Sequence, residues 1–113
     1  MALVDSSEKP RLADILPEFA IELRTLLVDS DQPGLADQVA ALVIYDCCRC
    51  GDSFCASFYT QPKPDGAYVG DHHTIGLGPK EGMIALDVVN TRIAHVEVLY
   101  RDEIRKTLLC KIP

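Results

Sequence analysis

Met83-Ile84-Ala85-Leu86-Asp87-Val88 and Ile93-Ala94-His95-Val96-Glu97-Val98, joined by Val89-Asn90-Thr91-Arg92, decide the fold. Both runs are rich in β-branched residues and alternate in polarity, the two-residue period of strands with one covered face. Asn90 between them marks the turn of a β-hairpin. Ile84, Leu86 and Val88 can share a face with Ala94, Val96 and Val98 only if the connection has an odd number of residues. A three-residue loop, Val89-Asn90-Thr91, is therefore predicted.

Upstream, Leu42-Val43-Ile44-Tyr45 is β-branched and aromatic, as a strand prefers. Ser53-Phe54-Cys55-Ala56-Ser57-Phe58-Tyr59 alternates, with Phe54, Ala56 and Phe58 on one face and Cys55, Ser57 and Tyr59 on the other. Gly51-Asp52 marks the turn of this first hairpin. After it, Gln61-Pro62-Lys63-Pro64-Asp65-Gly66 reads as a loop. Gly70, Gly76, Gly78, Pro79 and Gly82 predict an irregular stretch or short edge pairings.

Helices flank the strands. Leu12, Ile15, Leu16, Phe19, Leu23, Leu26 and Leu27 recur at three- and four-residue steps, the stripe of an amphipathic helix. Asp14 is placed to cap it, Pro17 is tolerated in its first turn, and Ser30-Asp31-Gln32-Pro33-Gly34 ends it. A short helical piece is predicted from Leu35 to about Ala40. At the other end, Asp102-Glu103-Ile104-Arg105-Lys106-Thr107-Leu108-Leu109 runs acidic to basic, as the helix dipole prefers. The resulting class is α+β: an antiparallel sheet built from two β-hairpins, with an N-terminal amphipathic helix and a short C-terminal helix on one face. Residues 1–10 read as a loose polar arm and 11–113 as a single domain.

The chain of 113 residues is 48% hydrophobic and 25% charged, the composition of a globular domain. Its 17 acidic and 11 basic residues give a formal charge of −6, which disfavours nucleic acid and anionic membrane surfaces and suits a protein partner with a basic surface. No apolar run is long enough to span a bilayer, and the first residues lack a basic start followed by a long apolar stretch. A cytoplasmic location with reduced thiols is the expectation.

Chemistry concentrates in Asp46-Cys47-Cys48-Arg49-Cys50-Gly51-Asp52-Ser53-Phe54-Cys55, which holds four of the five cysteines. A two-residue Gly51-Asp52 turn sets Cys48 opposite Cys55, with Cys50 two positions further on the same face. Zinc needs four tetrahedral ligands, and Cys48, Cys50 and Cys55 with His72 or His73 would form a Cys₃His site. The spacing departs from paired Cys-X-X-Cys knuckles, so plain burial of the cysteines competes with the metal reading. If the turn is odd, Cys47 and Cys55 share a face instead, Cys48 and Cys50 turn toward Phe54 and Ala56, and the metal argument weakens. A redox or nucleophilic thiol is the weaker reading, since only Arg49 nearby would lower a thiol pKa. Cys110 is assigned to the core.

Asp71-His72-His73 also occurs in a family of metal-dependent phosphoesterases, whose further acidic ligands and large scaffold this chain lacks; it is read as a solvated loop. Gly76-Leu77-Gly78-Pro79-Lys80 lacks a following helix start, so no nucleotide site is expected. His95 is read as an exposed strand residue.

The segments Cys48–Thr60, Gly82–Ile93 and Val96–Leu99, with the Leu16-Pro17-Glu18 helix opening, make the chain similar to a family of small bacterial proteins of unknown function. The resemblance implies a bacterial cytoplasmic domain and no mechanism. Two classes of function follow from the residues themselves. One is a noncatalytic protein-binding module of the inhibitor or immunity type. The other is a zinc-binding module with the cysteine hairpin and a loop histidine as ligands, extending to hydrolytic activity if a coordination position stays open.

Overall fold

The computed structural model describes residues 9–112, so the predicted arm lies almost wholly outside the described residues. Helices α1 (Leu12–Ile15), α2 (Pro17–Asp29) and α3 (Pro33–Ala36) and a 3₁₀ turn at Val39–Ala41 come first. Strands β1 (Asp46–Cys47), β2 (Phe58–Tyr59), β3 (His72–Leu77), β4 (Met83–Val89) and β5 (Arg92–Leu99) follow, then helix α4 (Asp102–Lys111). The strands form one sheet in the order β1-β2-β5-β4-β3, with every neighbouring pair antiparallel. This is the expected α+β class, with helical structure at both ends of the chain.

The core lies on one face of the sheet. Ile84, Leu86 and Val88 of β4, Val96 and Val98 of β5 and Phe58 of β2 are buried with Leu12, Phe19, Leu23 and Leu27 of the N-terminal helices and Ile104 and Leu108 of α4. The Phe19 ring meets Phe58 edge-on, with centroids 6.2 Å apart, a favoured aromatic geometry.

The predicted first helix is two helices. Leu16 adopts φ −132° and ψ 67°, and Pro17 begins α2. A residue before proline is sterically driven out of the helical region, while proline itself suits a first helical position. Asp14 caps nothing: the residue before α1 is Arg11, which has no side-chain cap and pairs with Asp14 at 3.5 Å.

The main hairpin keeps the predicted sharing of faces by a different device. Its loop has two residues, Asn90 and Thr91, with Val89 opposite Arg92 and Val88 opposite Ile93. The register then shifts so that Asp87 faces His95, leaving Ala94 as an extra residue on β5. This bulge restores the parity, and Leu86 meets Val96 and Ile84 meets Val98.

Elsewhere the strands are redistributed. The stretch expected to be irregular or to form short edge pairings contains β3, a six-residue edge strand in register with β4, so His72 and His73 stand on a strand and not in a loop. The first hairpin is shorter than predicted: Asp46 faces Tyr59 and Cys47 faces Phe58, while Val43 bridges Arg11. The amide of Cys48 donates to the Ser57 carbonyl at 2.9 Å, so Cys48 faces Ser57 and not Cys55, and the loop beyond is wider than two residues. Bonding to β5 sets this register. The Ala56 amide reaches the Val98 carbonyl, the Val98 amide reaches the Ser57 hydroxyl, and Cys55 bridges Leu99.

Candidate metal centre

Beyond the last cross-strand bond at Cys48, the chain turns through Gly51, whose φ of +86° is readily adopted without a Cβ. It returns after a turn in which the Cys55 amide donates to the Asp52 carbonyl. The sulfurs of Cys48, Cys50 and Cys55 all lie within 4.8 Å of one another. Cys50 is exposed, and Cys48 and Cys55 are partly buried. The convergence expected from a tight turn therefore survives in a wider one.

Adjacent Cys47 and Cys48 separate cleanly. Cys47 is buried, with its sulfur 4.0 Å from the Ile112 carbonyl oxygen, while Cys48 joins the cluster. Burial pushes the Cys47 thiol up, and the neighbouring Arg49 only partly opposes it. Cys110, expected in the core, is exposed on α4, because Ile104 and Leu108 form that helix's buried positions.

The trio is electrostatically uneven. Burial raises the Cys55 thiol, but the hydroxyl and amide of Ser57 and the thiols of Cys50 and Cys48 outweigh it, and Cys55 ends below its ordinary value. Burial instead pushes Cys48 up to about 11; the Cys50 amide opposes the rise, whereas the bonds to Cys50 and Cys55 add to it. Cys55 is thus readier to carry charge than Cys48. The cluster borders a cleft of about 180 Å³ lined also by Arg49, Arg105 and Leu108. Arg105 and Leu108 come from α4, packed beside the hairpin tip.

His72 does not join this group. It lies on β3 at the far edge of the sheet, with β5 and β4 between it and β2. Its Nε2 is 2.9 Å from Asp87 Oδ1. His73 is its exposed neighbour on the same strand. The predicted Cys₃His set is therefore corrected to three cysteines, because the segment expected to fold back as a loop is held at that edge as a strand.

Sequence reasoning missed a second polar group. Asp46, Tyr59, His95, Asp87 and Thr74 stand opposite one another in a row across all five strands. Asp87 accepts from Thr74 at 2.9 Å and lies 3.1 Å from His95 Nδ1, in addition to its contact with His72. Tyr59 packs on the His95 ring and Tyr68 on the His72 ring, each with centroids 4.6 Å apart. Burial raises the Asp87 carboxyl, but bonds from His72, Thr74 and His95 outweigh it and leave it below the usual carboxylate range. His95 is accordingly a partly buried, bonded residue and not a solvated one. The available signal was Asp87 itself, the one carboxylate inside an otherwise apolar strand.

Ser57 and Arg105 were missed as well. Ser57 is buried, and its hydroxyl lies 3.4 Å from the Cys55 sulfur. Only the observed register, which turns it toward β5, assigns it that contact. No helix among the described residues is long and apolar enough to cross a membrane. No protein-family model, curated protein or solved structure matches the chain.

Proposed function

We propose that this domain binds a thiophilic metal ion, zinc in the first instance, through Cys48, Cys50 and Cys55. The observation that carries the reading is the mutual approach of three ligand sulfurs within 4.8 Å. A tetrahedral zinc with Zn–S bonds of about 2.3 Å sets its sulfurs roughly 3.8 Å apart, so side-chain rotation with small backbone adjustment is enough to close the site. Soft thiolates favour zinc or copper(I) over magnesium or calcium.

Three protein ligands leave the fourth position to water or an external group, the pattern of catalytic and exchange sites and not of closed structural ones. Hydrolysis at that position is the finer version of this reading, supported by the cleft and by Asp52 in its wall. A second reading, a protein-binding module for a basic partner, rests on the formal charge of −6. The exposed Phe54 and Tyr100, stacked with centroids 5.3 Å apart, add to it.

The test is elemental analysis of untagged protein purified under reducing conditions without added metal or chelator. About one zinc per chain is expected. Cys48→Ser, Cys50→Ser and Cys55→Ser should each weaken binding at least tenfold, with His72→Ala and Cys110→Ser unchanged. Folded protein that carries no metal and takes up none on titration removes this reading and turns attention to a partner.

A further inference from the structure

We propose that Cys50 and Cys55 are a reversible dithiol–disulfide pair, closed by a hydroperoxide and reopened by a thiol, and that closure dismantles the metal site. The disulfide stands on the geometry of the hairpin tip; its consequence for metal rests on the function proposed above.

Three sulfurs within 4.8 Å permit three pairings, and the backbone selects among them. Cys48 is held by its amide bond to the Ser57 carbonyl, and Cys55 by its bridge to Leu99. A bond between those two would join two fixed positions across an established register, and disulfide geometry tolerates little misplacement. Cys48 and Cys50 are separated by one residue, so their bond would close a very small ring. Cys50 lies beyond the last cross-strand bond, followed by Gly51 and the Asp52–Cys55 turn. It can approach Cys55 by adjusting the loop alone. Cys50 is also the exposed residue of the three, while Cys48 and Cys55 are partly buried.

The chemistry balances with a hydroperoxide as oxidant. The Cys50 thiolate attacks the terminal peroxide oxygen; the O–O bond breaks, Cys50 becomes a sulfenic acid, and the departing alkoxide, or hydroxide in the case of hydrogen peroxide, takes a proton to become an alcohol or water. The Cys55 thiolate then attacks the Cys50 sulfur; the S–S bond forms, the S–O bond breaks, and the released hydroxide is protonated. Two sulfurs lose one electron each and the peroxide gains both. An attacking thiol reverses the disulfide by exchange through a mixed disulfide. Closure removes two of the three thiolates that hold the ion, leaving Cys48 as a single ligand, and the ion dissociates.

The experiment treats reduced full-length protein, with and without one equivalent of zinc, with hydrogen peroxide. Peptide mapping by mass spectrometry without reduction is paired with a chromophoric zinc indicator. The expected result is a Cys50–Cys55 linked peptide, loss of two of the five thiols, zinc release in step with the linkage, and recovery of both on adding dithiothreitol. Circular dichroism should stay unchanged, separating release from unfolding. Cys50→Ser should abolish the linkage, and Cys110→Ser should leave it intact. Failure to bind zinc at the outset overturns the metal reading alone, since the linkage is still scored in the metal-free arm. A Cys48–Cys55 bond, intermolecular dimers through Cys110, or sulfonic acid without any linkage would overturn the pair.

Discussion

Arg101 ties the C-terminal helix to the N-terminal one through a single guanidinium. Its two terminal nitrogens meet the Glu22 carboxylate at 3.0 and 2.9 Å, and its Nε meets Glu103 at 2.8 Å. The Arg101 side chain is only 10% exposed, so this pair is not an ordinary surface ion pair. The bidentate geometry fits the planar guanidinium and not a lysine ammonium. Arg101→Leu leaves Glu22 partly buried without its partner and should cost about 1–3 kcal/mol, read as a lower urea midpoint at unchanged slope. Arg101→Lys should recover less than half of that loss. Asp87 makes a different prediction. Its carboxyl lies below the usual range when folded, so it contributes stability above the unfolded-state pKa that is lost as pH falls through the folded one. The charged and polar groups facing it are His72, Thr74 and His95. Urea midpoints measured from pH 7 down to 2 should fall less steeply on the acid side for Asp87→Asn; an unchanged acid slope would count against the assignment. At this scale the convergence of Cys48, Cys50 and Cys55 was legible because they are close in sequence. His72 was misplaced because its position depends on pairing with β4, which no local pattern announces.

The β4–β5 hairpin shows where local reading succeeds and where it runs out. Alternation correctly required Ile84 and Leu86 to share a face with Val96 and Val98, because burial leaves no freedom in that choice. It could not say whether an odd loop or an even loop with a bulge supplies the parity. The chain takes the second course, with positive φ at both loop residues, 52° at Asn90 and 68° at Thr91. Asn90 suits that conformation and also bonds Asp71 through both its amide and its side chain. Thr91, being β-branched, is strained there. Thr91→Gly should therefore raise the unfolding free energy by about 0.5–1 kcal/mol, the relief exceeding glycine's extra chain entropy. A lower midpoint would mean that the threonine side chain makes a contribution larger than its strain. The helix break at Leu16 was readable in principle from Pro17, but the unbroken apolar stripe masked it. The stripe reports which face is buried, and both helices bury the same one. The length of the edge strand β3 was hidden by Gly76 and by polar residues on both sides, since an edge needs only one neighbour and half a core face.

For the whole molecule, the proposed metal site and the core are separate, and that separation decides how metal-loaded protein would respond to losing its ion. Small zinc modules unfold without metal because their ligands stand in for a core. Here the buried cluster runs from Leu12 to Ile112 through every helix and four of the five strands, including Cys47, and omits Cys48, Cys50 and Cys55. Those three cysteines lie at the hairpin tip, beyond the pairing of β1 with β2. Chelation should then leave the far-ultraviolet circular dichroism of reduced protein unchanged while lowering its stability by the binding linkage alone. That linkage amounts to about 2.7 kcal/mol at a free ion concentration one hundred times the dissociation constant. It should fall to about half or less in Cys48→Ser, whose binding is weakened at least tenfold. If chelation instead abolishes the helical signal, the metal is holding the fold, and the hairpin tip must be bound to the core more tightly than its short two-residue pairing with β2 implies.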